Sequence, residues 1–168
     1  LDPVTGAGSV TAAQVNNGSS DNCSIASIVL SQTAFSCSNV GINPVTLTLT
    51  DNSGNSSTCP SLVIVSELTA PIALCQNVTL NLDPVTGAGT ITPIQVNNNS
   101  TDACGIASLS LSQTNFSCAN LGANTVTLTV VDVNGNSSTC TSTITVIDNT
   151  APSFNTTPSN ISQNSVLG

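Results

Sequence analysis

The side chains that could do chemistry in this 168-residue chain are eight carboxylates and seven cysteines, and the chain contains no Lys, Arg or His. Nucleophilic catalysis by Ser or Cys needs a base such as His or Lys beside it. Hydrolysis by paired carboxylates is formally compatible with the composition. However, the chain has three Phe, no Tyr and no Trp from which to build the apolar pocket that raises a carboxyl pKa. We therefore predict that the protein is not an enzyme.

A formal net charge of −8 argues against negatively charged partners. Nucleic acids and anionic membrane surfaces are bound mainly through Lys and Arg, so neither is expected here. No apolar run in the sequence approaches the ~18 residues of a membrane-spanning helix. Seven cysteines without a C-x-x-C pair or a His indicate disulfides rather than zinc ligands. This cysteine usage predicts an extracellular or cell-surface protein.

Every carboxylate belongs to a pair of positions that lie 81 residues apart. The pairs are Asp2 and Asp83, Asp21 and Asp102, Asp51 and Asp132, and Glu67 and Asp148. The segment Leu1–Gly8 recurs unchanged at Leu82–Gly89, and Cys23–Cys37 recurs with few substitutions at Cys104–Cys118. Self-similarity at one fixed period indicates tandem copies of a single structural unit.

Within each copy the hydrophobic pattern has a period of two residues. Val126, Leu128 and Val130 alternate with Thr, as do Ile144 and Val146, which is the pattern of half-buried strands with β-branched Thr on the wet face. The Asn-Gly pair in the turn between these strands is a strong hairpin signal. No stretch shows a helical stripe, so we predict an all-β sandwich. Its strands in the second copy are expected at residues 72–81, 89–96, 104–112, 114–118, 124–132 and 138–148.

The string FSCANLGANTVTLTVVDVNGNSSTC, followed by an ITV strand and the residues DNTAP, resembles the hyalin-repeat (HYR) family of immunoglobulin-like modules. It is still more similar to the tandem repeats of giant secreted surface and adhesion proteins of Bacteroidota. The resemblance covers nearly the whole chain. It implies tandem immunoglobulin-like β-sandwich modules stapled by disulfides, an adhesive or structural role, and no catalysis.

The register of the repeat divides the chain into module 1 (residues 1–68), module 2 (69–149) and a linker with a spare strand (150–168). Leu1 corresponds to Leu82, which follows the first strand of module 2, so module 1 is expected to lack that strand. A spare strand and an open sheet edge favour head-to-tail strand addition, which generates a filament. A piece cut from a long array has the same two ends.

Both alternatives describe an extracellular fibre whose partners are copies of itself or neighbouring modules, arranged head to tail. The alternative function is that of a ligand-binding adhesin module for a glycan, a surface or ice.

With a sandwich assumed, the cysteines can be assigned to bonds. Cys104 and Cys118 bracket a hairpin-like stretch, which favours a Cys104–Cys118 bond and an equivalent Cys23–Cys37 bond. Cys75 opens the first strand and Cys140 the last, and these strands can lie side by side, which favours Cys75–Cys140. Cys59 is then left unpaired within the chain or bonds another molecule; a Cys59–Cys75 bond would instead leave Cys140 alone.

The same sandwich brings acids to the ends of the modules. Glu67, Asp102 and Asp132 are expected at the joint between modules 1 and 2, where they would suit Ca²⁺, with Asn134 and Asn136 completing the shell. Asp21 and Asp51 would form the same site with Asp148 of a neighbouring molecule or module. The competing interpretation is that each Asp accepts hydrogen bonds from its own turn, which is the role expected for Asp2 and Asp83.

Overall fold

The computed structural model describes residues 1–154, and these residues form an all-β protein, as the sequence predicts. The elements of module 1 are β1 (Ala7–Ser9), helix α1 (Ala12–Val15), β2 (Ile25–Leu30), β3 (Ala34–Ser36), β4 (Gly41–Asp51) and β5 (Ser56–Val65). Those of module 2 are β6 (Val78–Asn81), β7 (Ala88–Thr90), α2 (Pro93–Val96), β8 (Ile106–Leu111), β9 (Asn115–Ser117), β10 (Gly122–Asp132) and β11 (Ser137–Ile147).

Module 2 is an immunoglobulin-like sandwich of two sheets. One sheet has the order β6-β11-β10-β8, and β7 pairs with β9 in the other. Strand β6 runs parallel to β11, and the remaining neighbours in that sheet are antiparallel. The alternating Val126, Leu128, Val130, Ile144 and Val146 face the core, where they are almost completely buried. The period-two pattern therefore identifies the strands that build this core.

Module 1 has the same arrangement without a counterpart of β6. Its main sheet has the order β2-β4-β5, and β1 pairs with β3. Its core is built around Leu30, Phe35, Val45, Leu47, Val63 and Val65. Among the described residues no strand pairs with the outer edge of β5, whereas β6 covers the corresponding edge of β11.

Two short α-helices, α1 and α2, correct the prediction that the modules contain none, and two 3₁₀ helices lie at Cys37–Asn39 and Cys118–Asn120. The expected strand 89–96 is only three residues of β7, followed by α2, and the expected strand 72–81 is formed only at Val78–Asn81. A Thr caps the N-terminus of each helix, and a Gln follows three residues after it. The backbone N–H of Thr11 donates to Gln14 Oε1 at 2.8 Å, and that of Thr92 to Gln95 Oε1 at 2.7 Å. This is a capping box, which stabilises single turns too short for an apolar stripe to be visible in the sequence.

Candidate module joint

A disulfide between Cys37 and Cys104 joins the two modules. The two residues are 67 positions apart in sequence, with Cα atoms 5.3 Å apart. The predicted bonds Cys23–Cys37 and Cys104–Cys118 are therefore wrong in this structure. Cys104 precedes β8 in the large sheet, whereas Cys118 follows β9 in the small sheet. The two cysteines of one module bracket strands of different sheets rather than a hairpin, so they do not meet.

The second disulfide, Cys75–Cys140, lies inside module 2 and is the pair expected from the sequence. It ties the segment before β6 to the middle of β11, with Cα atoms 5.8 Å apart and a sequence separation of 65. The remaining three cysteines, Cys23, Cys59 and Cys118, are free and exposed. Cys59 is thus unpaired in the chain, and it shares this state with two cysteines that were expected to be bonded.

Gly6 forms the seat on which the joint disulfide rests. Its φ of +63° is in the left-handed region, and the sulfur of Cys37 lies 3.6 Å from the carbonyl oxygens of Gly6 and Ala103. A Cβ at Gly6 would lie 2.5 Å from that sulfur and 3.2 Å from the oxygen of Ala103. Only glycine combines this backbone conformation with such a close approach. The repeated LDPVTGAG string marks this residue, although its role was not apparent from the sequence.

Two of the predicted acids meet at the joint. Glu67 and Asp132 are both buried, with 8 % and 1 % of their surface exposed. The side-chain amide of Asn136 donates to both, at 2.7 Å to Glu67 Oε2 and 2.8 Å to Asp132 Oδ2. Asn136 thereby connects the last residues of module 1 to the β10–β11 turn of module 2. The joint holds two carboxylates and one neutral donor between them.

The turn itself stabilises the charged form of Asp132. Burial raises the pKa of this carboxyl, but hydrogen bonds from the Asn136 amide and from the backbone of Asn134, Gly135 and Asn136 together bring its pKa below the ordinary value of 3.8. The backbone N–H groups of Asn134 and Asn136 donate to Asp132 Oδ1 at 2.9 and 2.8 Å. Asp132 therefore remains ionised although no cationic side chain exists to pair with it.

The third predicted ligand, Asp102, is occupied by its own turn. Its Oδ1 accepts the backbone N–H groups of Cys104 at 2.8 Å and Gly105 at 3.1 Å. In residues 1–154 no three Asp, Glu, Cys or His side chains come together as a metal-binding group. The side-chain oxygen of Asn134 is nevertheless buried without a hydrogen-bond partner, and no other buried side-chain polar atom described is in this state.

The other predicted ligands lie at the two free ends of the described structure. Asp21 and Asp51 line a cavity of about 160 Å³ at one end of module 1, together with Asn55. Asn55 donates its amide to Asp51 at 2.9 Å, which lowers the pKa of Asp51, as Asn136 does for Asp132. Asp148 lies at the opposite end of module 2 and accepts the N–H of Thr150 at 2.9 Å. One copy of the chain therefore cannot bring Asp148 to Asp21 and Asp51.

Asp2 and Asp83 accept hydrogen bonds from their own turns. Asp2 Oδ1 accepts the N–H of Thr5 at 2.8 Å, and Asp83 Oδ1 accepts the N–H of Thr86 at 2.7 Å. These bonds lower the pKa of both carboxyls. Each carboxylate therefore stabilises its own turn, which is the role expected for Asp2 and Asp83.

Comparisons with known proteins give fold-level likenesses only. No family model and no curated protein matches the chain, so the resemblance to hyalin repeats stays a prediction. Human mucin-like protocadherin EC1-2 aligns at 13% identity with a TM-score of 0.36, covering 70% of this chain and 76% of its own.

Two further solved structures align still more weakly. The endo-fucoidan hydrolase MfFcnA9 of glycoside hydrolase family 107 aligns at 15% identity with a TM-score of 0.29, over 73% of this chain and 28% of its own. The mixed-linkage glucan protein SGBP-B of Bacteroides ovatus aligns at 16% identity with a TM-score of 0.20, over 74% and 38%. Likenesses this distant do not bear on function.

Within residues 1–154 no helix has the length and apolar character needed to cross a membrane.

Proposed function

We propose that the protein is a non-enzymatic structural repeat of an extracellular fibre, assembled from copies placed head to tail. The observation that carries this proposal is the module joint. Two modules are connected by the backbone and again by the Cys37–Cys104 bond, which restricts their relative motion. Disulfides are typical of proteins in oxidising compartments, and a doubly connected joint suits a protein whose role is to hold an extended shape.

The free edge of β5 supports strand addition between copies. In module 2, β6 pairs in parallel with Ile144–Ile147 of β11. The same repeat positions in module 1 are residues 63–66. Within the described structure no strand pairs with their outer edge, and the Ser66 carbonyl oxygen accepts a hydrogen bond from the amino terminus of Leu1 at 2.9 Å. An unpaired edge presents backbone donors and acceptors that an extended segment of another copy can satisfy. The repeat register places residues 159–162 in the role of β6, and these residues lie outside those that the structure describes.

The side-chain seat for such a strand is present in module 1. Leu80 of β6 packs over Gly89, close to the Cβ position that Gly89 lacks. In module 1 the corresponding Gly8 borders a cavity of about 150 Å³, lined by Leu1, Phe35, Val63 and Val65, and the Leu1 side chain lies 3.1 Å from the Cβ position that Gly8 lacks. In the repeat register, Ile161 corresponds to Leu80, so an apolar side chain is available for this seat.

Two matched substitutions test strand addition. Ile161→Asp places a charge at the inward-facing position that corresponds to Leu80. Asn160→Asp places the same charge at the outward-facing position that corresponds to Thr79, so it is the control. We expect wild-type protein and Asn160→Asp to form fibres visible by electron microscopy and light scattering, and Ile161→Asp to remain short. Wild-type protein that stays monomeric across pH and Ca²⁺ concentration would refute the fibre.

A binding role is the second candidate, and an exposed apolar patch favours it. Ile42 pairs with Ile64, and Pro44 with Leu62, across β4 and β5. All four point outward, and Ile42 and Ile64 are 70 % and 72 % exposed. At the same positions module 2 carries one Ala and three Thr: Ala123, Thr125, Thr143 and Thr145. A glycan or ice-binding screen that finds a ligand for wild-type protein but not for Ile42→Thr/Ile64→Thr would favour an adhesin module.

Calcium at the joint is proposed with a smaller ligand set than the sequence predicts. Glu67 and Asp132 offer carboxylate oxygens, and the unpartnered Oδ1 of Asn134 is an amide oxygen of the kind that Ca²⁺ accepts. Two buried like charges repel each other, and a cation would relieve that repulsion. Asp102 is left out because its hydrogen bonds come from Cys104 and Gly105, whereas Glu67 and Asp132 are held together by the amide of Asn136. The site formed by Asp21, Asp51 and Asp148 of another copy stays a prediction.

A further inference from the structure

The two halves of the joint disulfide occur a second time, unbonded, at opposite ends of the described structure. Cys118 occupies the repeat position of Cys37, and Cys23 occupies that of Cys104. Both are exposed free thiols. One copy of the chain therefore contains one complete joint. It also carries Cys118, the equivalent of Cys37, at the far end of module 2, and Cys23, the equivalent of Cys104, at the far end of module 1.

Cys118 is already seated as Cys37 is in the bonded joint. Its sulfur lies 3.6 Å from the carbonyl oxygen of Gly87, just as the Cys37 sulfur lies 3.6 Å from that of Gly6. Gly87 has a φ of +63°, and a Cβ there would lie 2.8 Å from the Cys118 sulfur. The Cys118 thiol therefore lies against Gly87 in the same way that the bonded Cys37 sulfur lies against Gly6.

The surface around Cys118 repeats the module 1 side of the joint. We call it the exit groove: Pro84, Val85, Cys118, Thr150 and Ala151 line a cavity of about 560 Å³. At the joint the same positions are held by the same residue types, Pro3, Val4, Cys37, Thr69 and Ala70. There the groove is closed by Thr101, Asp102 and Ala103 of module 2, which leave a cavity of about 350 Å³.

The segment that closes the joint also has an unused copy. Residues 20–23, which we call the entry loop, correspond to residues 101–104. The Asp21 carboxylate accepts the N–H of Cys23 at 2.7 Å, and that of Asp102 accepts the N–H of Cys104 at 2.8 Å. The residue after each cysteine has a positive φ, +79° at Ser24 and +101° at Gly105. Positive φ is uncommon for Ser, so at this position the entry loop keeps the backbone conformation of its copy even without a glycine.

We propose that the exit groove of one copy receives the entry loop of a second copy and that Cys118 and Cys23 form a disulfide there. The proposal deepens the proposed function, because it rests on head-to-tail assembly and names the covalent bond that fixes it. Polar contacts of the joint have counterparts in this arrangement. Asn136 donates to Glu67, and Asn55 of the second copy would donate to Asp148. Ser138 donates its hydroxyl to Pro71, and Ser57 of the second copy would donate to Pro152.

The bond forms by exchange with a small disulfide such as oxidised glutathione. The Cys118 thiolate attacks one glutathione sulfur, which breaks the glutathione S–S bond and releases one glutathione thiolate. The Cys23 thiolate of the second copy then attacks the Cys118 sulfur and releases the second. Two cysteine thiols are oxidised to one disulfide, one glutathione disulfide is reduced to two thiols, and the two cysteine protons end on the released glutathione.

Mixing two single variants tests the pairing, in full-length chains that also carry Cys59→Ser. Cys118→Ser keeps only the entry-loop thiol, and Cys23→Ser keeps only the exit-groove thiol. In a glutathione redox buffer, non-reducing gel electrophoresis of the mixture should show dimers and no longer species. Because docking raises the effective concentration of the two thiols, we expect about tenfold more Cys118–Cys23 bond than either like-with-like bond. Mass spectrometry after digestion with an Asp-specific protease counts the three bonds.

Several outcomes separate this inference from the fibre itself. The parent chain with both thiols should form a ladder of covalent multimers. Like-with-like bonds as frequent as Cys118–Cys23 bonds, or no ladder, would overturn the inference. If Cys23→Ser/Cys118→Ser still forms fibres and the parent forms no ladder, the proposed function survives and the covalent bond does not. If the parent forms a ladder joined by Cys118–Cys23 bonds yet no fibres appear by electron microscopy, the bond stands and the fibre does not.

Discussion

Removing the joint disulfide should destabilise both modules, whereas removing the disulfide of module 2 should destabilise one. The perturbations are Cys37→Ser/Cys104→Ser and Cys75→Ser/Cys140→Ser, each in a chain whose three free cysteines are also replaced by Ser. The two bonds span 67 and 65 residues, so loop length alone does not distinguish them. They differ in what they connect, because each module has a hydrophobic core of its own.

The magnitude follows from the loop that remains closed when one module unfolds. If module 1 unfolds beside a folded module 2, the joint bond closes a loop of roughly 30 residues between Cys37 and the module boundary, which corresponds to about 4 kcal/mol of chain entropy. A loop of similar length lies on the other side of the boundary, so module 2 gains about the same amount. The Cys75–Cys140 bond closes its loop within module 2 and contributes about 4 kcal/mol there alone.

Differential scanning calorimetry with hydrogen exchange measures this pattern. At roughly 4–8 °C per kcal/mol for domains of this size, each affected module should melt about 15–30 °C lower. Exchange at Val45–Leu49 and Val126–Val130 assigns the transitions to modules 1 and 2. An unchanged melting temperature of module 1 in Cys37→Ser/Cys104→Ser would contradict this prediction. An equal decrease in the melting temperatures of both modules in Cys75→Ser/Cys140→Ser would contradict it as well.

Three further predictions concern single residues of the joint. Gly6→Ala should lower the free energy of unfolding, measured in urea, clearly more than Gly18→Ala does. Both positions have positive φ, but nothing lies within 4 Å of a Cβ at Gly18, so only Gly6→Ala adds a clash with Cys37. Equal losses would contradict the role of Gly6 as a seat for the disulfide. The lowered pKa of Asp132 contributes stability that is present above the ordinary pKa of 3.8 and is lost as pH falls through the folded-state pKa. Asp132→Asn should therefore cost on the order of 2–3 kcal/mol near neutral pH, and the free energy of unfolding in urea should fall less steeply at acid pH than in the wild-type protein. Equal pH dependence of the two proteins would contradict this prediction. Adding EDTA should lower the melting temperature and Ca²⁺ should restore it, with Glu67→Gln insensitive to both; no shift in the wild-type protein would end the calcium proposal.

The fold was predictable because its signal is local. Alternation over Val126, Leu128 and Val130 determines which side of β10 is buried, and the Asn-Gly turn determines where β11 begins. Because the repeat has a fixed period of 81 residues, the same strand assignments apply to module 1. The capped turns α1 and α2 were missed because four residues are too few to display a helical period, although Thr92 and Gln95 have capping-box spacing.

The joint was less predictable because it depends on which sheet each strand joins. Cys104 and Cys118 are close in sequence, but β8 and β9 belong to different sheets, and no periodicity in the sequence encodes that division. The meeting of Glu67 with Asp132 was anticipated from the assumed sandwich, which places both residues at the boundary between the modules. The sequence did not distinguish between a turn role and a metal-binding role for Asp102, because a turn and a metal site use the same carboxylate oxygens.

The Cys37–Cys104 bond has a mechanical consequence. A pull along the chain that reaches Cys37 passes through the sulfur atoms to Cys104, so the backbone between them, including β4 and β5, bears no tension. The bypassed segment of 67 residues corresponds to about 230 Å of extended chain at ~3.4 Å per residue. Cys75 lies inside this segment and is bonded to Cys140, beyond Cys104. The length is therefore withheld from stretching until a reductant has cleaved both disulfides. A thread built on this joint would lengthen less under load in an oxidising medium than in a reducing one.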